Sequence, residues 1–337
     1  PDAVERETDD QASELGVVAR RVERVFYKLD GEGYLPDERW HIWVMDAETG
    51  ELTQLTDGDI YDEEDPRWSP DGEQIVFRSN HAEHPDLDPD AVDLFILPAE
   101  GGEPHRIETP VGPKQKPVFS PNGRFIAYLG KEGRGRSWKN TGLWVVPVEG
   151  AGEARNLTER FDVQVGESTI NDLPGHVPLT APTWSKDSRR VYVQVSEHGS
   201  TLLTCVPVDP EELDGENGLK TIIGEPGVVG AFRTDDEEST VAYLHAGMME
   251  PAEVWTSDLV GGTPDQLTHM NRELLDEIDL GDVEEVWFEG AAGNELQGWI
   301  LKPPGFDPSR QYPTIVEIHG GPRVQYGPFF MHEFFFL

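Results

Sequence analysis

Four times along this chain an aromatic residue is followed by a short polar turn and then by a run of apolar residues. The copies are Pro66-Arg67-Trp68-Ser69-Pro70-Asp71-Gly72 before residues 74–78, Pro117-Val118-Phe119-Ser120-Pro121-Asn122-Gly123 before 125–129, and Pro182-Thr183-Trp184-Ser185-Lys186-Asp187-Ser188 before 191–195. A weaker copy is Ala231-Phe232-Arg233-Thr234-Asp235-Asp236 before 240–244. Asp-Gly and Asn-Gly supply the positive φ that a tight turn between two strands requires, so each copy reads as a hairpin. A second hairpin follows each one, a like hairpin precedes the first, and each closes on a Leu-Thr-like pair: residues 41–45 with 53–56, 94–98 with 105–107, 143–148 with 155–158, 203–208 with 220–223, and 254–259 with 265–268.

Four short strands recurring roughly every 40–50 residues have the period of a propeller blade. The expected aromatic anchors of the units are Trp68, Phe119, Trp184 and Phe232; the step from Phe119 to Trp184 is longer, and residues 160–179 read as an inserted loop. Residues 20–45, with the loop Asp30-Gly31-Glu32-Gly33-Tyr34-Leu35-Pro36, supply only the later strands of a further blade. The sequence therefore predicts a mainly β fold with one partial and four fuller blades, about five of an expected seven. Residues 1–15 read as a loop cut from something longer. The pattern changes after Thr268, which puts a boundary between a partial propeller over 1–271 and a second domain over 272–337. That second domain is expected to hold a short helical or linker piece at 272–278, strands at 283–289 and 296–301, and a buried strand at 314–318.

The last of these strands runs into His319-Gly320-Gly321-Pro322. Two adjacent glycines leave backbone with no Cβ in the way, so the loop can turn sharply and aim bare N–H groups at an oxygen. In α/β-hydrolases one oxyanion-hole donor comes from such a motif on the loop after the third strand. An ordinary Gly-Gly-Pro turn at a strand end is the plainer reading of the tetrapeptide alone.

The repeats, followed by Gly298-Trp299-Ile300-Leu301-Lys302-Pro303-Pro304-Gly305-Phe306 and by Glu317-Ile318-His319-Gly320-Gly321-Pro322, resemble the prolyl oligopeptidase family of serine peptidases. Within that family the chain is most similar to the acylaminoacyl-peptidase and dipeptidyl-peptidase-like members. The resemblance implies a propeller that caps an α/β-hydrolase domain and gates which peptides reach the site. It also implies that the Gly320-Gly321 turn helps hold the oxyanion, while His319 shapes the loop and is not the general base. The chain departs from the family in one respect: no Gly-x-Ser-x-Gly occurs in it. Nucleophile, acid and base are thus expected outside this chain, which by itself is expected to be inactive. The full-length protein is expected to be a serine-type peptidase of short or acylated peptides. The rival readings are a propeller-linked esterase and a non-catalytic propeller that only binds partners.

Charge narrows the partners. Lys and Arg total 27 against 65 Asp and Glu, a net charge of −38. Such a surface repels phosphate backbones and anionic membranes, so neither nucleic acid nor membrane is an expected partner. The acid is dispersed and lysine scarce, a balance that suits high salt, where a Debye length of about 3 Å screens self-repulsion. A halophilic source is the expectation, and a cytoplasmic location fits a chain with a single cysteine, Cys205, and no secretory signal in its first residues.

No cofactor and no metal is expected. His81 and His84 with Asp86, Asp88, Asp90 and Asp93 carry metal-ligand chemistry, but they read better as a polar, Pro-broken hairpin tip. The acidic run 57–65 reads as a solvated loop, Asn156-Leu157-Thr158 as a strand end, and Gly133-Arg134-Gly135-Arg136 as a surface loop.

Overall fold

The computed structural model describes residues 21–336, apart from 23, 30–32, 150–151, 174–179, 214–217 and 322. The predicted loop at 1–15 and residues 30–32 of the predicted loop at 30–36 lie outside the described residues, while Gly33–Tyr34 of that loop is a strand. Two compact units are present. The first comprises the described residues up to Pro117 with Glu132–Arg136, the second Val118–Lys131 with the described residues from Ser137 onward.

In the first unit, β1 (Lys28–Leu29) pairs with β2 (Gly33–Tyr34), and β3 (Trp43–Met45) with β4 (Leu52–Gln54). A four-stranded antiparallel sheet follows in sequential order: β5 (Glu63–Trp68), β6 (Gln74–Ser79), β7 (Asp93–Pro98) and β8 (His105–Ile107). Ile42, Ile75, Phe77, Phe95 and Leu97 form its core, with the Phe77 and Phe95 rings stacked 5.5 Å apart.

Strand β9 (Lys114–Phe119) carries the chain onward. With β10 (Phe125–Gly130), β11 (Gly142–Pro147) and β12 (Arg155–Asn156) it forms a sheet ordered β12-β11-β10-β9. The next sheet holds two of the sequence repeats. One is β13 (Gln164–Val165), β14 (Thr183–Trp184), β15 (Arg190–Glu197), β16 (Ser200–Pro207) and β17 (Lys220–Ile223). The other is β18 (Val228–Thr234), β19 (Thr240–Ala246), β20 (Glu253–Asp258) and β21 (Asp265–Gln266). A single parallel pair, Thr201 with Val228, joins them. Tyr192, Leu203, Cys205, Ile223, Val229, Phe232, Val241 and Tyr243 pack between the two repeats, so the lone cysteine is a core residue. Burial pushes its thiol up to about 11, away from nucleophilic use.

Side chains explain the repeat. In each turn a serine hydroxyl donates to the acid or amide two residues on: Ser69 to Asp71 at 2.5 Å, Ser120 to Asn122 at 2.8 Å, Ser185 to Asp187 at 2.6 Å. The same serines accept from the amides of Gln74, Phe125 and Arg190, which start the next strand. Asp235 does the work of both residues in the fourth copy, accepting from Ser239 and Thr240. The fourth turn position is left-handed in all four: Gly72 at φ 76°, Gly123 at 70°, Ser188 at 60° and Glu238 at 53°. The threonine of the closing Leu-Thr pair has its own task. Thr56, Thr158 and Thr268 accept from the amides of Ile42, Leu143 and Val254, latching the outer strand to its neighbour.

Three of the four repeat aromatics are buried: Phe119, Trp184 and Phe232. Trp68 departs from the expected anchor role, being 51% exposed at the end of β5 beyond the irregular register between Glu64 and Arg67. After β21 a short helix, α2 (Arg272–Leu275; α1 is Pro210–Leu213), leads to a hairpin of β22 (Asp282–Glu289) and β23 (Glu295–Lys302), paired from Asp282–Lys302 to Glu289–Glu295. This matches the two strands read from the sequence. A last helix, α3, spans His332–Phe336.

Candidate functional site

The predicted buried strand at 314–318 is not present. Residues 311–320 form neither strand nor helix, and Ile315, Val316 and Ile318 are 61%, 76% and 80% exposed. The cause is the lack of a partner. A buried strand of a parallel sheet needs neighbours to take its backbone groups, and among the described residues no strand pairs with this one.

The glycine pair that follows sits on the surface. A Cβ on Gly320 would meet open space, and Gly321 adopts φ 131°, open to glycine but not to other residues. Among the described residues the amide N–H of neither glycine donates a hydrogen bond. The His319 ring nitrogen Nδ1 lies 2.8 Å from the Gly320 carbonyl, and its ring meets the Tyr326 ring edge-on at 5.4 Å. Tyr326 in turn meets Phe334 edge-on at 5.0 Å. The His319 ring thus packs beside its own loop, against Tyr326.

What fixes this loop was not evident in the sequence. Behind the glycine pair the chain is moored at three points. The Arg323 guanidinium donates to the Lys139 carbonyl at 3.2 Å. Gln325 pairs with the segment 168–170, its N–H donating to Ser168 O at 3.0 Å and its O accepting from Ile170 N at 3.1 Å. The Asp172 carboxylate accepts from the amides of His332 and Glu333, at 2.7 and 2.6 Å, capping the start of α3. Residues 160–179 were legible as an insertion, from the long step between repeat aromatics. Their use as a cradle was not, because it rests on Thr169 and Asp172 meeting residues about 160 positions away.

The cradle has a buried floor of hydroxyls. Thr169 and Thr201 lie 3.3 Å apart, Ser196 and Thr201 3.2 Å, and Ser196 donates to Gly166 O at 2.8 Å. Glu167 lies at its edge. Burial pushes its carboxyl up to about 7, although the amide of Thr169 hydrogen-bonds to it.

The other candidates are committed elsewhere. The His81 ring stacks between Tyr61 and Phe95, at 4.3 and 4.4 Å, and burial lowers its pKa. Asp86 accepts from Arg24 and from the amides of Val25 and Phe26. Asp88 pairs with Arg134 at 2.8 Å, and Asp93 with Arg106 at 3.1 Å.

The fold is that of solved peptidases. A Pyrococcus horikoshii acylaminoacyl peptidase superposes on 98% of this chain with a TM-score of 0.68 and 20% identity, the match covering 45% of that protein. An acylaminoacyl peptidase in complex with Z-Gly-Gly-Phe-chloromethyl ketone superposes on the same share with a TM-score of 0.70, at 20% identity and 45% of its own length. The fold is thus mainly β and of the propeller type. No family model matches the chain. Among curated proteins, the uncharacterized peptidase YuxL of Bacillus subtilis is 29% identical over 316 residues, 93% of this chain and 46% of that protein. Dipeptidyl-peptidase 5 of Arthroderma otae is 27% identical over 279 residues, 77% of this chain and 35% of the relative. The chain is similar in sequence to curated peptidases, and it spans less than half the length of the curated relatives it matches.

Proposed function

We propose that this chain is the propeller-bearing part of a serine peptidase that hydrolyses short or acylated peptides through an acyl-enzyme. One observation carries the reading: among the described residues the exposed Gly320 and Gly321 amides donate to no acceptor, on a loop moored through Arg323 and Gln325. Peptidase relatives in sequence and in fold support it.

In this reading a serine oxygen attacks the scissile carbonyl carbon while a base takes the hydroxyl proton. The C=O π pair moves onto oxygen, and an N–H of the glycine pair donates to that oxyanion as it forms. The serine lies on residues outside this sequence, since no Gly-x-Ser-x-Gly occurs here. In this reading the blades gate which peptides reach the site.

A fluorophosphonate probe on the full-length protein tests the reading. Labelling that is abolished by substituting the serine of a Gly-x-Ser-x-Gly is expected. Gly321→Val, which clashes with Val324 and forbids the observed φ, is expected to lower kcat by about 10²–10³. Absence of labelling would leave the chain a binding propeller.

A further inference from the structure

We infer that Gln325 is the positioning residue of the Gly320-Gly321 loop, with the insertion at 166–172 as its fixed support. The inference rests on the oxyanion reading of the glycine pair given above.

Gln325 makes five hydrogen bonds. Two are the backbone bonds to Ser168 and Ile170. Its Nε2 donates to Thr169 Oγ1 at 2.9 Å and to Ser200 O at 3.2 Å, and its Oε1 accepts from Gly199 N at 3.3 Å. All side-chain donors and the acceptor are thereby used. The partners belong to rigid elements: Gly199 and Ser200 at the β15–β16 turn, and Thr169, which is 3% exposed and donates onward to Gly199 O at 3.2 Å.

Only three residues separate Gln325 from Gly321. A free tether of that length would let the glycine amides wander by several ångströms, since each residue spans up to about 3.3–3.6 Å. Oxyanion stabilisation tolerates much less, because a misplacement of about 1 Å costs roughly 10²-fold in rate. Asp172 at α3, Gly327 on Gly199 and Phe329 in its apolar cluster hold the chain farther on; nearer the glycine pair the described contacts are those of His319 on Tyr326, Arg323 on Lys139 O and Gln325. A glutamine suits the task because it satisfies a carbonyl, a hydroxyl and an amide at once. It also explains the insertion: residues 166–172 pair with Gln325 on one side and with β15 on the other, through Gly166 and Val195.

The test uses two measurements. Hydrogen–deuterium exchange on this 337-residue chain reads residues 318–324 in the wild type, in Gln325→Leu and in Thr169→Val. Steady-state hydrolysis of a peptide anilide reads kcat and KM in the full-length protein with the same substitutions and with Gly321→Ala. Both anchor variants are expected to speed exchange across the loop and to lower kcat about tenfold, with KM changed less than twofold. The double variant is expected to lose less than the sum of the two single losses, since the Gln325–Thr169 bond is counted in both. Thr169→Val leaves Gln325 in place and guards against a fold defect. Unchanged exchange in both anchor variants would overturn the inference. So would an unchanged kcat in them while Gly321→Ala lowers it. If Gly321→Ala leaves kcat unchanged, the oxyanion reading fails and this inference falls with it.

Discussion

Gly327 lies against Gly199 so closely that a Cβ on Gly327 would overlap the Gly199 carbonyl. The reverse also holds: a Cβ on Gly199 would fall 3.0 Å from the Gly327 Cα and 2.5 Å from the Trp299 ring, at a residue already held at φ 74°. Two glycines thus let the β15–β16 turn and the segment after Gln325 touch backbone to backbone. Behind them Phe329 packs with Val228 and Ala246. The close approach is what brings the Gln325 side chain within reach of Gly199 and Ser200.

Gly327→Ala therefore should undock this segment. Overpacking of a close contact costs about 1–3 kcal/mol, and relieving it here draws Gln325 away from Gly199 and Ser200. The expected outcome is faster tryptic cleavage after Arg323 than in the wild type, with little change in the blades themselves. Limited proteolysis followed by mass spectrometry checks it. Equal cleavage rates in the two proteins would mean that the glycine contact does not hold the segment.

A second prediction separates backbone strain from packing. Gly72 has open space around its Cβ position but sits at φ 76°. Gly72→Ala should cost about 1 kcal/mol through the left-handed backbone alone. At Ser188 and Glu238 the same conformation is already borne by residues with a Cβ, and each holds a neighbouring amide: Ser188 that of Asn122, Glu238 that of Lys186. Replacing those two by glycine should therefore give little net gain. Denaturant midpoints of the three variants check the contrast.

The repeats were legible because their signals are local. Ser, Asp and Gly within four residues write the turn, and the apolar run after them writes the strand, so β6, β10, β15 and β19 fall where the pattern put them. The hairpin of β22 and β23 was legible for the same reason. The strand at 314–318 was misjudged because its apolar run carries no information about a partner, and a strand is a relationship between segments. Trp68 was misjudged likewise: an aromatic at an anchor position says nothing of the irregular pairing that leaves it exposed. The glycine pair could be singled out from its two residues, whereas its mooring could not. Gln325, Thr169, Gly199 and Asp172 are unremarkable in composition and meet only through the fold.

Acid should act on the turns unequally. Asp71, Asp187 and Asp235 each accept a hydroxyl, from Ser69, Ser185 and Ser239, and those bonds hold their carboxyls below the ordinary aspartate value of 3.8. A depressed folded pKa means that the contribution is present above that value and lost as pH falls through the depressed one. Asn122, at the same position of the second copy, does not titrate and keeps its bonds in acid. The triple substitution Asp71→Asn, Asp187→Asn and Asp235→Asn should leave a protein whose thermal midpoint falls less between pH 4.5 and 2.5 than that of the wild type. An identical fall would place the acid sensitivity in other carboxylates.

Alkali should reveal a buried lysine. Lys114 is 2% exposed, and its Nζ donates to the carbonyls of Val92 at 2.6 Å and Gly112 at 3.0 Å, with the Asp93 carboxylate 4.0 Å away. Burial brings its pKa down to about 8, against 10.5 for a free lysine. Between these values the unfolded chain holds a proton that the folded chain has released, so stability rises with pH. Below 8 both states are protonated, and the cost of the buried ammonium is present in full. Cys205 works in the opposite sense. Burial lifts it from 9 to about 11, so unfolding gains an ionised thiolate from pH 9 upward. Tyr192 and Tyr243, lifted by burial from 10 to about 12, do the same from pH 10. The lysine is therefore best read as a difference between proteins. Lys114→Met orphans the Val92 and Gly112 carbonyls, which displaces its whole curve, but it removes the titration. Urea midpoints of wild type relative to Lys114→Met should climb between pH 7.5 and 9.5, and the relative curve should flatten below pH 7. A relative curve that is flat across the whole range would show that Lys114 keeps its ordinary pKa, with its ammonium solvated despite its place behind β7.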